Sequence, residues 1–237
     1  MDLKGKVVVI TGASSGLGKA LALRLCKEQP KLVLLSRSAD KLQDVVEKVK
    51  ESKCSVSSFS CNVTDLKQMK HTIEYILEAY GQIDVLVNNA GILYEAKIEN
   101  YQPLKLLELF DVNAIGAISM IQLILPHMRE KNYGQIINVI STAGIQPAKH
   151  SSVYNATKFA LEGFTRSLKL DLDETNIKVM GFYPGGMEAN LFTTQKLADN
   201  KGPFQVEKET VADVLCFMMK APDIVSMDHV EVKKFGR

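Results

Sequence analysis

The fold of this chain is decided by Val7-Val8-Val9-Ile10-Thr11-Gly12-Ala13-Ser14-Ser15-Gly16-Leu17-Gly18. The apolar run at its start predicts a short buried strand, because β-branched residues bounded by glycine are typical of a strand in a parallel sheet. Gly12 permits a tight turn, Gly16 lets backbone N–H groups approach an anion, and Gly18 lets the next helix pack close to the strand. The stretch therefore predicts a strand, a pyrophosphate-binding turn and the start of a helix.

The rest of the chain alternates between strand and helix patterns. Strands are predicted at 6–10, 32–35, 54–60, 84–87, 135–140, 177–183 and 229–233. Helices are predicted at 16–28, 39–51, 65–80, 104–129, 154–174 and 207–220. This alternation predicts a single α/β domain over residues 1–237, with a seven-stranded parallel sheet and helices on both faces. Ligands of such a sheet bind outside the carboxyl ends of its strands.

A second motif predicts proton transfer. Tyr154 and Lys158 are four residues apart, and so they share one face of a predicted helix. A nearby ammonium is expected to lower the pKa of the tyrosine, so that Tyr154 can exchange a proton with a substrate oxygen. Ser141 follows a predicted strand and can hydrogen-bond the reacting oxygen.

Each motif alone has an ordinary explanation, since glycines often form simple turns and Tyr-x-x-x-Lys occurs on exposed helices. Together, in this order, they resemble the short-chain dehydrogenase/reductase family. Three further stretches carry the resemblance: Asn88-Asn89-Ala90-Gly91 after a strand, Val112-Asn113-Ala114, and Pro184-Gly185 after a later strand.

The resemblance implies a Rossmann-type doubly wound sheet and a catalytic set of Asn113, Ser141, Tyr154 and Lys158. In the family's pattern, Tyr154 is the general acid or base, and Lys158 assists it and binds the nicotinamide ribose. Ser141 positions the substrate oxygen, and Asn113 holds a water in a proton relay. The cofactor is expected to contact Gly12, Ser14, Ser15, Gly16, Leu17, Gly18, Ser36, Arg37, Asn62, Val63, Asn89, Ala90, Gly91, Tyr154, Lys158, Pro184, Gly185 and Met187.

The end of the second predicted strand favours NADP(H) over NAD(H). An acidic residue there would bind the ribose 2′-hydroxyl of NAD, but the chain has Ser36 and Arg37. A guanidinium suits a 2′-phosphate. Asp40 is the nearest carboxylate, and Ser14 and Ser15 stand where the family often has a basic residue. The preference therefore depends mainly on Arg37 and Ser36, unless Arg37 is only a solvated loop charge.

Composition excludes several other classes. The 237 residues carry a formal net charge of +2, which favours neither nucleic acid nor a membrane surface as partner. The four cysteines show no metal-ligand spacing, and reduced thiols suit the cytoplasm. We expect no signal peptide, no apolar run long enough to span a bilayer and no metal.

Two regions predict how the chain meets substrate and other subunits. Residues 186–206 are expected to form a substrate loop. The helices at 104–129 and 154–174 are apolar on more than one face, which predicts a homodimer or homotetramer, unless they are buried within the monomer.

The function predicted from these residues is an NADP(H)-dependent oxidoreductase that interconverts a secondary alcohol and a carbonyl compound. Two alternatives within the family are a 3-oxoacyl-thioester reductase and a 3-hydroxy acid or amino-acid dehydrogenase. A third, of another class, is a non-catalytic protein that senses NADP(H).

Overall fold

The computed structural model describes residues 1–187 and 205–235, which form one seven-stranded sheet flanked by helices. The strands are β1 (Val7–Thr11), β2 (Lys31–Ser36), β3 (Ser55–Ser60), β4 (Val85–Asn88), β5 (Gly134–Val139), β6 (Ile177–Pro184) and β7 (His229–Val232). The helices are α1 (Gly16–Leu25), α2 (Ala39–Glu51), α3 (Leu66–Tyr80), α4 (Pro103–Phe110), α5 (Gly116–Lys131), α6 (Ser152–Leu170) and α7 (Lys208–Met219). All pairings are parallel, in the order β3-β2-β1-β4-β5-β6-β7.

Alternate residues of β1 show why both faces of the sheet are covered. Val8 and Ile10 pack with α1, α2 and α7, whereas Val7 and Val9 pack with α3, α5 and α6. Successive side chains of a strand point to opposite faces, so a strand that is apolar at every position requires helices on both sides. The predicted fold class, a doubly wound parallel α/β sheet, is therefore confirmed.

The strand order places the functional motifs at one edge of the sheet. β1 lies between β2 and β4, so the chain runs outward from β1 in both directions and leaves a crevice at the carboxyl ends of β1 and β4. The glycine-rich turn after β1, the Asn88-Asn89-Ala90-Gly91 stretch at the end of β4 and Ser141 after β5 all lie at this edge.

Several predicted boundaries need correction. The helix predicted over 104–129 is divided by a π-helical turn at Asp111–Ile115. α1 ends at Leu25 and continues as a 3-10 turn over Cys26–Glu28, rather than as one helix to residue 28. β5 ends at Val139, so Ser141 lies in the loop beyond the strand. α6 ends at Leu170 rather than at residue 174.

The expectation about apolar length was also wrong. The helical stretch Pro103–Lys131 is long and apolar enough, by length and composition alone, to cross a membrane. Half of it is buried inside the protein, where Met120, Ile121 and Ile124 of α5 join the core beneath β4 and β5. The core helix of a globular sheet protein has this same character.

Candidate active site

The glycine-rich turn is shaped by two close backbone approaches. Gly12 has φ +65°, and a Cβ there would lie 2.8 Å from the Cα of Ala90. A Cβ on Gly18 would lie 2.5 Å from the carbonyl oxygen of Gly12 and 2.6 Å from Nδ2 of Asn89. Both positions therefore require glycine, and the turn packs tightly against the loop after β4.

Asn89 braces this turn from the neighbouring strand. Its Nδ2 donates to the carbonyl oxygens of Thr11 and Gly12, at 2.9 and 3.2 Å. The Thr11 hydroxyl accepts from the backbone N–H groups of Asn89 and Ala90, each at 3.0 Å. Asn89 lines the cavity, as the sequence predicted, and its side chain is committed to holding the glycine turn.

The start of α1 presents donors to an anion. Ser15 is the N-cap of α1, but its side chain makes no capping hydrogen bond, and the first turn of the helix contains no acidic residue. The Ser15 hydroxyl and the free N–H groups of the first turn thus face the cavity together with the positive end of the helix. This arrangement fits the pyrophosphate of a dinucleotide.

We expect Gly18→Ala to destabilise the protein and weaken dinucleotide binding. The added methyl would overlap two backbone-anchored groups, so the free energy of unfolding should fall by ~1–3 kcal/mol and the Kd for NADPH should rise at least tenfold. Urea unfolding and a fluorescence titration with NADPH measure the two effects. Lys19→Ala, on the same helix, should change the free energy of unfolding by no more than ~0.5 kcal/mol. Equal behaviour of the two variants would contradict the packing role of Gly18.

Ser141 is held in an unusual backbone conformation. Its φ is +115°, which side-chain-bearing residues rarely adopt, and its Oγ accepts from the backbone N–H of Ala143 at 3.2 Å. Strained residues of this kind are concentrated at functional sites, where the surrounding structure fixes their conformation. The Ser141 hydroxyl also hydrogen-bonds the side chain of Tyr154.

Tyr154 and Lys158 project from the first two turns of α6. The Nζ of Lys158 donates to the carbonyl oxygen of Val139 at 3.1 Å and lies 5.9 Å from the centre of the Tyr154 ring. Gly144 lies against the backbone of Lys158, with a Cβ position 3.0 Å from the Lys158 carbonyl oxygen, so α6 approaches the end of β5 closely.

The expected effect of Lys158 on Tyr154 is wrong for the polypeptide alone. Burial raises the pKa of Tyr154, and the hydrogen bond from Ser141 only partly opposes this. Burial also lowers the pKa of Lys158 to about 8. Desolvation disfavours the charged form of each group and is the largest influence on both pKa values. The chain by itself therefore holds a protonated phenol beside an ammonium that loses its proton more readily than an ordinary lysine.

Asn113 lies in the π-helical turn and is buried. Its Oδ1 accepts from the backbone N–H of Ile92 at 2.8 Å. Its Nδ2 donates to the Ile92 carbonyl at 2.9 Å and to Oγ1 of Thr157 at 3.1 Å. A π-helical turn within a helix often marks a functional site. A Cβ on Gly91 would lie 3.4 Å from Oδ1 of Asn113 and 3.7 Å from Nζ of Lys158, so these two groups flank Gly91.

One cavity of about 710 Å³ joins these parts. Of the sequence-predicted site residues, all but Gly18 and Asn113 line it; Gly18 supports the turn and Asn113 lies behind Gly91. The lining residues that sequence reasoning missed include Lys41, Cys61, Ile92, Leu93, Glu95, Val112, Thr142, Ala148, Ser151, Asn155 and Gln205. Residues 188–204 of the predicted substrate loop lie outside the described residues. At the edges of that gap, Met187 pairs with Val206 in a parallel bridge.

The end of the cavity beside β2 is basic. Arg37 and Lys41 both line it, whereas Asp40 between them does not. Within the described ranges, neither cation has an ion-pair partner. Ser14 and Ser36 join across the cavity floor through a hydroxyl–hydroxyl hydrogen bond of 2.7 Å. Lys41 was missed because it belongs to the first turn of α2, and only the fold shows that this turn faces the site.

Comparison with known proteins decides the family. The family model described as short chain dehydrogenase matches residues 6–200. This chain belongs to the short-chain dehydrogenase family. An uncharacterized oxidoreductase of Staphylococcus aureus (strain MRSA252) is 31% identical over 231 residues, which cover 98% of each chain.

Comparison with solved structures agrees with this assignment. Levodione reductase superposes with a TM-score of 0.90 at 26% identity, covering 98% of this chain and 97% of that one. A metagenomic short-chain oxidoreductase in complex with NADP superposes with a TM-score of 0.86 at 26% identity and covers both chains fully. The chain is thus an oxidoreductase-family protein with a Rossmann-like fold, as the sequence motifs predicted.

Proposed function

We propose that this short-chain dehydrogenase is an NADP(H)-dependent oxidoreductase that interconverts a carbonyl compound and a secondary alcohol. The observation that carries the proposal is the placement of Ser141, Tyr154 and Lys158 in one cavity with the glycine-rich turn. The glycine cradle and the uncapped start of α1 fit the pyrophosphate of a dinucleotide.

Three side chains have different roles in proton transfer to the substrate. The Ser141 hydroxyl donates to the substrate carbonyl oxygen and orients it beside Tyr154. Tyr154 gives its phenolic proton to the same oxygen, and Lys158 stabilises the resulting phenolate. Bound NADPH supplies the hydride that reduces the carbonyl carbon. Burial raises the pKa of Tyr154, so the polypeptide alone holds the protonated phenol that this step uses.

Asn113 is proposed to act through Lys158 rather than on the substrate. Its side chain is fixed by three hydrogen bonds and lies beside Gly91, as does the ammonium of Lys158. This position suits a residue that orders a proton path from Lys158 toward solvent. The assignment agrees with the role that the family pattern implies for it.

The proposed reaction is tested by following the loss of NADPH absorbance with a panel of ketones, aldehydes, 3-oxoesters and quinones. Turnover that the protein supports with NADPH, and with at least one carbonyl compound, is the expected result. A folded protein that binds NADPH with no turnover on any of these classes would instead favour a cofactor sensor.

The preference for NADP(H) is supported by two cations. Arg37 offers a planar fork of donors to the 2′-phosphate, and Lys41 adds a second positive charge from the start of α2. The described lining residues at this end include no carboxylate that would favour the free 2′-hydroxyl of NAD.

We expect Arg37→Ala and Lys41→Ala to weaken NADPH binding without affecting NADH. Loss of a charge-assisted hydrogen bond should raise the Kd for NADPH ~10- to 100-fold for Arg37 and less for the more mobile Lys41. Fluorescence titrations with both cofactors measure this. Lys48→Ala, an exposed lysine of the same helix, is the matched control and should leave both Kd values unchanged. Parallel losses for NADPH and NADH would contradict recognition of the 2′-phosphate.

The proposed homo-oligomer is supported by large apolar side chains on the outside of two helical segments. Leu104 is 80% exposed, and Leu107 and Ile115 follow it on the outer side of α4 and the π-helical turn. Phe159 and Leu170 are exposed on α6. Association of two copies through these helices would cover them. Four buried free cysteines suit the cytoplasmic location proposed from the sequence.

A further inference from the structure

We propose that Glu95 selects the substrate: its carboxylate favours carbonyl compounds that carry an ammonium group over neutral ones, and disfavours those that carry a carboxylate. The inference rests on the proposed function, because it names the substrate class of the same cavity. It arises from a side chain to which neither the family motifs nor the proton-transfer chemistry gives a role.

The loop that carries Glu95 contacts the segment just before α6 at two points. The Ser151 hydroxyl donates to Oε1 of Glu95 at 3.5 Å, and the backbone N–H of Ala96 donates to the carbonyl oxygen of His150 at 3.1 Å. Glu95 and Ser151 both line the cavity. The loop after β4 is therefore fastened beside the helix that carries Tyr154.

The contact with Ser151 places Glu95 on the side of the cavity where α6 begins. Ser151 is the N-cap of α6 and precedes Tyr154 by three residues, and both residues line the cavity. We therefore expect a substrate whose carbonyl oxygen meets Tyr154 to place a group a few carbon atoms away on the side of Glu95. A cation at that position meets an opposite charge in a partly desolvated cavity, where Coulomb interactions are stronger than in water.

The charges of the cavity are distributed unevenly. Arg37 and Lys41 lie at the end beside β2, and Lys158 is committed to Val139 and the reaction. Among residues 1–187 and 205–235, Glu95 is the acidic side chain that lines the cavity. The substrate end therefore offers a carboxylate substrate a repulsive charge, and no cation beyond Lys158 in the described part of the chain.

A neighbouring amide also brings no positive charge to this side. Asn155 is buried one turn after Ser151, and its Nδ2 donates to the carbonyl oxygen of Ala148 at 2.8 Å. Its Oδ1 accepts no hydrogen bond from any described residue. Asn155 thus lines the same cavity as Glu95, with its amide fixed and its oxygen buried without a donor from the described residues.

A simpler role for Glu95 is to stabilise the start of α6. The first turn of α6 has no acidic residue, and Ser151 makes no side-chain cap, so a carboxylate at this helix N-terminus is favourable. The 3.5 Å contact with Ser151 is long for a hydrogen bond and involves only one of the two carboxylate oxygens. This contact therefore leaves the carboxylate able to meet a ligand, and the two roles predict different results.

The test uses three ketones of matched shape that differ only in terminal charge: 5-(dimethylamino)pentan-2-one, 6-methylheptan-2-one and 5-oxohexanoate. Their Kd values are measured on the NADP-bound protein by ligand-detected NMR, and their kcat/KM values with NADPH, for the wild type and Glu95→Gln. The amide keeps the size and an acceptor oxygen but removes the charge. Glu99→Gln is the matched control, because Glu99 is an exposed glutamate in the 3-10 turn Ile98–Asn100.

The wild type and Glu99→Gln should prefer the cationic ketone over the carboxylate ketone by at least about tenfold in Kd and kcat/KM, with the neutral ketone between them. In Glu95→Gln this preference should fall about tenfold, and added salt should reduce it in the wild type. Equal affinities for the three ketones, a preference that survives Glu95→Gln, or binding of none of them would overturn the inference. If the three Kd values followed the expected order but no ketone were turned over, the result would count against the proposed reaction. If Glu95→Gln changed only the thermal stability, Glu95 would act as a helix cap and the inference would be overturned.

Discussion

Tyr154→Phe is expected to lower kcat for carbonyl reduction with NADPH by ~10²–10⁴-fold, the range typical of losing a positioned general acid. The change removes one hydroxyl, which interacts with the side chain of Ser141 in the cavity. The ring keeps its place on α6, and so NADPH should bind with a Kd within about threefold of that of the wild type. The loss of NADPH absorbance measures turnover, and fluorescence titration measures binding.

The pattern across two readouts is what distinguishes this role from a structural one. Tyr154→Phe should unfold at a denaturant concentration close to that of the wild type, because the change removes a single hydroxyl and keeps the ring. Ser141→Ala should retain more activity than Tyr154→Phe, since it removes an orienting donor and leaves the proton source. A Tyr154→Phe variant with more than about a tenth of wild-type turnover would remove Tyr154 from the mechanism.

The glycine turn could be predicted from the sequence because its requirements are local. The placement of Gly12 and Gly18 after a run of β-branched residues follows from what a backbone needs for a tight turn, and the structure shows the close approaches directly. The same holds for Tyr154 and Lys158, whose spacing of four residues is sufficient to place them on one side of a helix.

Lys41 and Glu95 were missed because their positions depend on distant parts of the chain. Lys41 reaches the cavity only because β2 lies next to β1, which brings the first turn of α2 over the site. Glu95 reaches it because the neighbouring backbone N–H of Ala96 bonds the carbonyl oxygen of His150, which is distant in the sequence. No local pattern marks either residue, and a lone charge in a sequence most often lies on a solvated surface.

The sequence did not predict the π-helical turn or the direction of the Tyr154 pKa shift, for a different reason. The apolar repeat of residues 104–129 is that of an ordinary helix, and one inserted residue does not disturb it enough to be seen. For Tyr154, the spacing indicated a helpful charge but carried no information about burial. Desolvation is the larger influence on both groups in the polypeptide, so the direction of the pKa shift could be determined only from the structure.

Lys158→Met is expected to change activity and stability in opposite directions. Lys158 is 5% exposed, and burial lowers its pKa from 10.5 to about 8, so holding the ammonium in the folded protein has a cost at neutral pH. A methionine of similar length removes the buried charge and gives up one hydrogen bond to Val139. We expect the free energy of unfolding, without added cofactor, to rise by ~1–3 kcal/mol at neutral pH, while turnover falls at least ~100-fold.

The pH dependence fixes the cause of this stabilisation. A lysine whose folded-state pKa is lowered binds fewer protons when folded, so the cost of its burial is fully present below about pH 8 and disappears as pH rises toward 10.5. The advantage of Lys158→Met in urea unfolding should therefore shrink across that interval. Lys48→Met, at an exposed site, should show no such dependence. If Lys158→Met gained the same stability at every pH, better packing would be its cause. If the variant lost stability, the hydrogen bond of Lys158 would outweigh the cost of the buried charge. In the expected case, the protein retains a destabilising cation because the phenolate formed at Tyr154 requires it.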